Sequence, residues 1–541
     1  MLRLRAPSYK TIFMSLFYTF TLQSAAFVFM KFHQSASPLF AALSYASRTK
    51  GFSGHVPSAS TSAGAKCAFT NSAVDLSWHA PVNSSINNLP TVINGTGTYG
   101  FIFNSSQGSA NTYNWCNMPH VHPSTYPKVN DSGYKLEYVE VIHRHHKRTP
   151  YASNTFPVES YPWFCDDAAL FSGGKPMNPV GNATVNTYWE IYTSHSNPLV
   201  QSGFNGTCQF PQITRGGLDD SHRHGADLKA VYGEMLGFLP EAYNKNLVSY
   251  RVTHNEITSQ VASMLIAGMY PFRADKDTPL LIQPTDVDSL EPGYPCEYAS
   301  NLFSSYGSGS SNPAWQEHLN AASDLYARLD TLSGISPSAT GWHQSFDHYF
   351  DNLSARLCHG KSLPCNVNDT SDCVTMAEAD EVFRLGEYEY SFIYRDSPES
   401  FPASVSSYGI WIAELAQNLR HAMGEGASSI NATSEKVRYR HNVAHDGSIS
   451  RLLSVLQLEK MVWPGMGAEV VFELYSKAGC FYLRVLWGGQ VMVSSNPSFG
   501  AMDMVPICSV LAYFDGLVGV GASRIPGVCA ESRVGISVEE Q

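Results

Sequence analysis

The pattern of apolar and polar positions predicts a small set of β-strands. The first runs from Leu136 to Ile142 and is rich in β-branched and aromatic residues. Further strands are predicted at Leu247–Val252 and Lys436–Ala444, and a hairpin at Glu469–Tyr475 with Cys480–Trp487. The strands are therefore concentrated in two separated parts of the chain.

Apolar residues at helical spacing predict the intervening helices. One helix is predicted from Asp219 to Leu239, ended by Pro240, and another from Ile257 to Met269, ended by Pro271. Residues 272–435 then show helical segments joined by Gly, Ser and Pro loops, and another helix follows at Ile449–Leu456. Examples from the central region are Trp315–Leu332, Phe346–Leu357 and Ile410–Met423.

This order of elements predicts an α/β fold with a mixed sheet flanked by helices and an inserted α-helical cap domain. Residues 134–271 and 436–541 form the two parts of the core, and residues 272–435 form the insert. The expected segments before the core are a signal peptide or signal anchor (1–29), a flexible linker (30–66) and a loop-rich extension (67–133).

Composition and charge exclude some classes of protein. The 541 residues are 43% hydrophobic and 12% aromatic, which is ample for a sizeable core and argues against disorder of the bulk. The formal net charge of −11 argues against nucleic acid as the main partner. Arg144, Lys147 and Arg148 nevertheless concentrate positive charge in one place, which indicates a local anion site.

The amino-terminal region predicts entry into the secretory pathway. Arg3, Arg5 and Lys10 precede an apolar run from Ile12 to Phe29, as in a signal peptide, although the run is long enough for a signal anchor. A start at Met30 is an alternative. We expect a secreted or extracellular protein, with cell-wall association left open, and no stable membrane partner unless this segment is retained as an anchor.

The sequons and cysteines also fit a protein of the secretory pathway. Nine Asn-x-Ser/Thr tripeptides predict N-linked glycans, and eleven cysteines in an oxidising compartment predict disulfides with at least one cysteine left over. We expect Cys67 to be the unpaired one and Cys508 to pair with Cys529. The sequons are Asn83, Asn94, Asn104, Asn130, Asn182, Asn205, Asn352, Asn368 and Asn431.

The strand ending at Ile142 leads directly into a basic motif, Arg144-His145-His146-Lys147-Arg148-Thr149-Pro150. Ligands of α/β sheets bind at the carboxyl ends of strands. Arg144 and Arg148 offer forked donors that suit phosphate or carboxylate, and His145 between them is a candidate nucleophile. The alternative interpretation is a solvated basic loop or a nucleic-acid patch.

A second motif, His445-Asp446, follows the predicted strand Lys436–Ala444. An imidazole beside a carboxylate supplies a hydrogen-bond donor to phosphate and a general acid, which phosphoryl transfer through histidine requires. The alternative is a pair of turn residues that cap the next helix, since Asp is a good N-cap.

Together these motifs resemble the histidine acid phosphatases, in particular secreted, fungal-type members, which carry an Arg-His-Gly-x-Arg-x-Pro signature and a later His-Asp element. The resemblance extends from about Leu136 to Trp487. It implies the histidine-phosphatase (phosphoglycerate-mutase-like) fold and a phosphomonoesterase acting on a small-molecule substrate through a phosphohistidine. His145 would attack phosphorus, Asp446 would protonate the leaving group, and neither a metal nor another cofactor is expected. The phosphate-binding residues would be Arg144, Arg148 and His445.

The chain departs from that family at two positions. His146 replaces the glycine of the signature, and Ile257 stands where the family has an arginine that completes the phosphate clamp. A lost charge-assisted contact to the transferring group can cost roughly 3 kcal/mol of transition-state stabilisation, so Ile257→Arg is expected to raise activity. The candidates to compensate are Lys147, His146, Arg438, Arg440 and Arg223.

Other functions remain open for the same residues. One is a catalytically impaired phosphatase-like protein that binds phosphate or phosphorylated ligands, and another is a structural secreted glycoprotein. A metal site is a weaker alternative, since no pattern of acidic ligands accompanies the histidines. That site would use His143, His145, His146, His441 and His445. His222 and His224, on the helix from Asp219, are expected to be surface or packing residues.

Overall fold

The computed structural model describes residues 74–98, 113–157, 163–168, 171–174, 185–189, 191–192, 196–197, 206–271, 278–424 and 436–530. The predicted signal segment, the linker and Cys67 lie outside these residues, as do the sequons Asn104, Asn182, Asn205 and Asn431.

Twelve strands and twelve α-helices are found within those ranges. The strands are β1 Lys135–Arg144, β2 Phe171–Gly174, β3 Val185–Tyr188, β4 Val248–Val252, β5 Leu280–Leu281, β6 Cys365–Asn366, β7 Asp369–Cys373, β8 Tyr439–Ala444, β9 Glu469–Lys477, β10 Cys480–Trp487, β11 Gln490–Val491 and β12 Val505–Pro506. The helices are α1 Leu89–Asn94, α2 Arg215–Lys229, α3 Glu256–Met269, α4 Glu297–Tyr306, α5 Pro313–Ala321, α6 Ser323–Ser333, α7 Asp347–Cys358, α8 Met376–Ser391, α9 Ser400–Ala422, α10 Asp446–Val455, α11 Ile507–Val518 and α12 Ile525–Cys529.

The central sheet is mixed and has the strand order β11-β10-β9-β1-β8-β4-β5, with β12 paired to β10. β1, β8 and β4 run parallel, while β9 is antiparallel to β1. Helices cover both faces, so the predicted α/β class with a mixed sheet flanked by helices is confirmed. The parallel strands end at one edge, and both sequence motifs follow them there.

The two faces of β1 are buried in two different cores. Val139 and Val141 pack with α2 and α3, whereas Tyr138 and Ile142 pack with the larger core that includes α9 and α10. This alternation follows from the two-residue period of a strand, and each fully buried aliphatic side chain stabilises the fold by roughly 1.5–3 kcal/mol. The same alternation turns His143 towards α2 and Arg144 towards the opposite face.

Several helix boundaries differ from the predicted ones. α2 begins at Arg215, because the Thr214 side chain accepts a hydrogen bond from the Gly217 N–H and caps the helix. A π-helical turn at Ala230–Met235 follows it. The predicted helix Trp315–Leu332 is two helices, since the backbone leaves the helical conformation at Ala322.

α2 and α3 pack unusually closely because each contributes a glycine to the contact. A Cβ at Gly225 would lie 2.0 Å from the carbonyl oxygen of Leu265, and one at Gly268 would lie 1.9 Å from that of His222. Any larger residue would push the helices apart. This contact holds α2 against the sheet beneath the motif that follows β1.

The disulfides and one sequon correct the sequence predictions. Cys529 pairs with Cys296 rather than with Cys508, because α12 packs against α4 and α9. Asn352 is only 1% exposed and its side chain bonds the Asn154 carbonyl and Arg356, so it cannot carry a glycan in the folded chain. The other disulfides are Cys116–Cys358, Cys165–Cys208 and Cys365–Cys373. None of the described helices is both long and apolar enough to cross a bilayer.

Candidate active site

The register of β1 and β8 brings the two motifs together. Arg144 lies opposite Ala444, and the His145 N–H donates to the Ala444 carbonyl at 3.1 Å. The residue after each strand is a histidine, so the rings of His145 and His445 lie side by side with centroids 5.3 Å apart. Residues 300 positions apart in sequence therefore share one edge of the sheet.

His145 is buried and held in one tautomer. Its Nδ1 donates to the His146 carbonyl at 3.0 Å, which leaves Nε2 with a lone pair. Burial, followed by the charges of Arg144 and Arg148, holds the pKa of His145 well below its usual value. A neutral imidazole with an unprotonated Nε2 is the form that can act as a nucleophile.

Arg144 connects the nucleophile loop to Asp446. Its Nη1 donates to the Pro464 carbonyl at 2.6 Å, its Nη2 lies 3.0 Å from Asp446 Oδ2, and its guanidinium stacks on Trp115 at 4.7 Å. The side chain is only 2% exposed. These contacts fix the direction of the remaining N–H groups, so the arginine needs little reorganisation to bind an anion.

Arg148 is held by the helical insert. Its Nη1 donates to Asp351 Oδ1 of α7 at 3.0 Å and to the Thr149 carbonyl at 2.8 Å, and it stacks on Tyr151 at 4.1 Å. Asp351 Oδ2 accepts from the Tyr151 N–H and from Asn154, so both oxygens of the carboxylate have hydrogen-bond donors. Asp351 was missed in the sequence because nothing local distinguishes it from other helical acids.

Asp446 is the first residue of α10 and keeps 22% of its side-chain surface exposed. Its Oδ2 accepts from Trp463 Nε1 at 2.8 Å as well as from Arg144. Burial raises the pKa of Asp446, but the Arg144 charge, the Trp463 hydrogen bond and further positive charge nearby, including that of Arg148, together outweigh burial and lower it. The carboxylate is therefore ionised without a ligand, at a place that a leaving group can reach.

His445 is a neutral side chain in this arrangement. Burial lowers its pKa to about 4, although the Asp446 carboxylate opposes this shift. Its Nε2 lies 3.0 Å from the Thr253 hydroxyl and 3.6 Å from Glu291 Oε2. An uncharged imidazole can donate a hydrogen bond to a phosphate oxygen without adding to the positive charge around His145.

Ile257 is part of a hydrophobic cluster and does not face the site. It is 1% exposed and packs with Ile213, Val252 and Val261. The residues suggested as substitutes for the clamp arginine are engaged elsewhere or point away from the site. Lys147 pairs with Asp220 at 2.8 Å, and His146 forms a hydrogen bond with His224. Arg438 stacks on Phe238, Arg440 lies near Tyr138 at the far end of β8, and Arg223 is exposed to solvent.

Sequence reasoning missed two residues near His445. Glu291 Oε2 lies 3.4 Å from His254 Nδ1 as well as 3.6 Å from His445 Nε2. Burial raises the pKa of Glu291, and the His254 ring is partly exposed beside it. Glu291 lies in a loop that only the tertiary structure returns to this edge, whereas His254 follows β4 and could have been found from its place just after a predicted parallel strand.

The five histidines considered above as an alternative metal site do not all lie together. His145 and His445 line the site, whereas His143 and His146 face α2 and meet His224 there. The expectation that His224 is a surface or packing residue was incomplete, because its ring is fully buried and hydrogen-bonded on both sides, to His146 and Glu469. His222 is exposed, as predicted.

Comparison with known proteins identifies distant relatives. No family model matches the chain. Counting factor 60 of Dictyostelium discoideum is 23% identical over 426 residues, which cover 76% of this chain and 92% of that protein. The 2-phosphoxylose phosphatase 1 of Danio rerio is 23% identical over 405 residues, covering 70% and 77%. The Homo sapiens protein of the same name is 22% identical over 392 residues, covering 71% and 77%.

Among solved structures, the apo phytase of Hafnia alvei superposes with a TM-score of 0.47 and 14% identity, covering 73% of this chain and 99% of its own. The phytase from D. castellii superposes with a TM-score of 0.44 and 15% identity, covering 79% and 90%. The sequence relatives that are named phosphatases support the resemblance of this chain to phosphatases.

Proposed function

We propose that this chain is a secreted acid phosphatase that hydrolyses small phosphomonoesters through a phosphohistidine on His145. The observation that carries the proposal is the neutral Nε2 of His145, held between Arg144 and Arg148 and beside His445. A neutral nucleophile surrounded by fixed cations suits attack on an anionic phosphoryl group, because those cations stabilise the charge that develops in the transition state.

The first step transfers the phosphoryl group to the enzyme. The His145 Nε2 lone pair attacks phosphorus, the bond to the leaving oxygen breaks, and Asp446 donates a proton to that oxygen. Arg144, Arg148 and His445 hold the other phosphate oxygens. In the second step, water attacks the phosphohistidine while Asp446 takes one of its protons, and the P–N electron pair returns to His145.

Asp446 must gain its proton only when substrate is present. In the free protein Arg144 keeps the carboxylate ionised. A bound phosphate dianion engages Arg144 and adds negative charge nearby, and both effects raise the proton affinity of Asp446. The protonated acid is then coupled to substrate binding.

His254 is proposed as the positive group that offsets the missing clamp arginine. It lies at the end of β4, against Glu291 and close enough to His445 for its charge to lower the His445 pKa. Imidazole gains charge towards acidic pH, so the share of phosphate binding that this group supplies would be larger in acid. A fixed arginine would give no such dependence.

The test is hydrolysis of an aryl phosphate at mildly acidic pH, with His145→Ala as the inactive variant. We expect turnover by the wild type, none above background by the variant, and an acid-labile, base-stable phosphoenzyme in the wild type alone. Equal rates for the two proteins would refute the proposal. Phosphate or vanadate binding without turnover would favour the impaired, anion-binding protein, which the replacement of arginine by the buried Ile257 specifically motivates.

Secretion and glycosylation are part of the proposal. Four disulfides among the described cysteines suit an oxidising compartment. The sequon residues Asn83, Asn94, Asn130 and Asn368 are exposed. Expression of the full chain in a eukaryotic host should yield protein in the medium whose mass falls on treatment with an N-glycosidase. Retention as an unmodified intracellular protein would refute this part.

A further inference from the structure

We propose that His143, His146 and His224 form a binding site for a divalent transition metal, best matched by Zn²⁺, directly beneath the candidate active site. The site is separate from the phosphate-binding residues, which lie on the other side of the same loop. It does not depend on the proposed phosphatase activity.

Three different elements bring the histidines together. His143 is on the α2-facing side of β1, His146 lies in the loop three residues later, and His224 is on α2. All three side chains have no exposed surface, and one ring nitrogen from each lies within 4.8 Å of the others. Imidazole is a common ligand for Zn²⁺, Cu²⁺ and Ni²⁺.

The spacing of the closest pair already fits a metal. His146 Nε2 and His224 Nδ1 are 3.1 Å apart. Two nitrogens bound to one tetrahedral Zn²⁺ lie about 3.3 Å apart, because each Zn–N bond is about 2.0–2.1 Å long. A movement of the His143 ring towards this pair would complete a three-histidine site.

Hydrogen bonding leaves unused lone pairs in the cluster. The His143 Nδ1–H donates to the Arg144 carbonyl at 2.9 Å, so its Nε2 carries a lone pair. Burial raises the pKa of Glu469 to about 7. When Glu469 is ionised, it accepts from His224 Nε2 at 2.9 Å, so His224 Nδ1 accepts from His146 Nε2 and His146 Nδ1 is left unprotonated.

The atoms left with lone pairs, His143 Nε2 and His146 Nδ1, have no hydrogen-bond partner among the described residues. Lone pairs that are buried without a donor are costly. A metal bound by His143 Nε2, His224 Nδ1 and one nitrogen of His146 would use the otherwise unpaired lone pair of His143. If the ligand is His146 Nε2, its proton is lost to solvent and Nδ1 takes one up, so the ring stays neutral and Nδ1 becomes a donor.

The surroundings supply the groups that support a metal ligand. Glu469 bonds the distal nitrogen of His224 and also accepts from the Val121 N–H, which fixes the carboxylate. A carboxylate behind a ligating histidine orients the ring and increases its basicity. Asp227 Oδ2 lies 2.9 Å from His120 Nε2, and the His120 ring lies 4.2 Å from that of His224.

The absence of a side chain at Gly467 leaves room for the His146 ring. A Cβ at Gly467 would lie 2.4 Å from His146 Cε1, and Gly467 has a φ of +74°. The imidazole therefore fits only because residue 467 is glycine. The Gly467 N–H donates to the His145 carbonyl at 3.1 Å, so the same glycine contacts both the nucleophile and the proposed ligand.

The alternative is a hydrogen-bonded trio of packed histidines without a metal. The two possibilities differ in metal content. The test is therefore inductively coupled plasma mass spectrometry on the full chain, expressed without a polyhistidine tag and dialysed against metal-free buffer. We expect about one equivalent of transition metal per wild-type chain. His143→Ala and His224→Ala should reduce it at least tenfold, and the matched control His222→Ala, on the same helix but exposed, should retain it.

A second measurement covers variants that fail to fold. Wild-type protein is stripped with a strong chelator and titrated with Zn²⁺ alone while its unfolding temperature is followed. A rise of several degrees, saturating at about one equivalent, supports the site. The proposal is overturned if the wild type contains and takes up no transition metal, or if His143→Ala and His224→Ala bind as much metal as the wild type.

Discussion

Arg144 and Asp446 form an ion pair, with Nη2 3.0 Å from Oδ2, that joins the carboxyl end of β1 to the first residue of α10. The arginine belongs to the first motif and the aspartate to the second, 302 positions later. Because Arg144 lowers the Asp446 pKa, the group that would bind phosphate also controls the group that would deliver the proton. In the proposed mechanism, neither motif would be sufficient without the other.

Replacing Asp446 by Asn should slow the reaction in a way that depends on the leaving group. The amide cannot donate the proton, so we expect kcat/KM for an alkyl phosphate to fall by roughly 10²–10⁴-fold. The kcat/KM of a nitrophenyl phosphate should fall less, because its leaving group is stable as an anion. The measurement is kcat/KM for both substrates, since this constant reports the step in which the leaving group departs and excludes hydrolysis of the phosphoenzyme. An equal loss for both would mean that the variant damages structure rather than proton transfer.

The free energy of unfolding should depend on pH through His445. Its pKa is lowered to about 4 in the folded protein, below the usual value near 6.5. The unfolded chain therefore binds a proton that the native state does not, and stability present above pH 6.5 is lost as the pH falls to about 4. The loss attributable to this residue is on the order of a few kcal/mol.

The measurement is urea unfolding of the wild type and of His445→Gln at pH 7 and pH 4.5. The wild type should lose more unfolding free energy than the variant over this interval. The same loss in both proteins would show that His445 is not the responsible group.

Asp351 should stabilise the buried Arg148 as well as orient it. Asp351→Asn leaves that guanidinium without its counter-charge, and we expect a loss of about 3 kcal/mol in unfolding free energy. Phosphate binding should also weaken, since the guanidinium is no longer held in place.

The double variant Arg148→Met with Asp351→Asn separates the two effects. It buries no charge at this position and keeps a side-chain acceptor for the Tyr151 N–H and Asn154, so part of the lost stability should return while activity is lost with Arg148. Both quantities are obtained from urea unfolding and aryl phosphate turnover. If the double variant is less stable than Asp351→Asn, the buried pair does not behave as described.

The sequence predicts the sheet and the two motifs because both depend on local signals. β1 and β8 have strand composition, and each is followed at once by its motif. The positions of Asp351, Glu291 and Trp463 follow instead from how the insert and the loops fold back, which no spacing along the chain encodes. His224 was undervalued for the same reason: its partners, His146 and Glu469, are distant in sequence.

The structure reverses the expected effect of Ile257→Arg. The sequence comparison suggested that this change would restore a clamp arginine and raise activity. Ile257 is instead 1% exposed inside an apolar cluster, so the new guanidinium would be buried without a partner. We expect a loss of at least about 3 kcal/mol in unfolding free energy and no gain in kcat/KM. Ile257→Leu is the matched control and should change both by little; higher activity in the arginine variant would contradict this account.

His254→Ala provides the test of what replaces that arginine. If His254 supplies the missing positive charge when protonated, the variant should bind inorganic phosphate roughly three- to tenfold more weakly at pH 5 and almost normally at pH 8. Competitive inhibition by phosphate during aryl phosphate hydrolysis gives the constants. His222→Ala removes an exposed histidine on α2 and should match the wild type at both values. Equal weakening at pH 5 and pH 8 would assign His254 a structural role, because loss of packing does not depend on the charge of the imidazole.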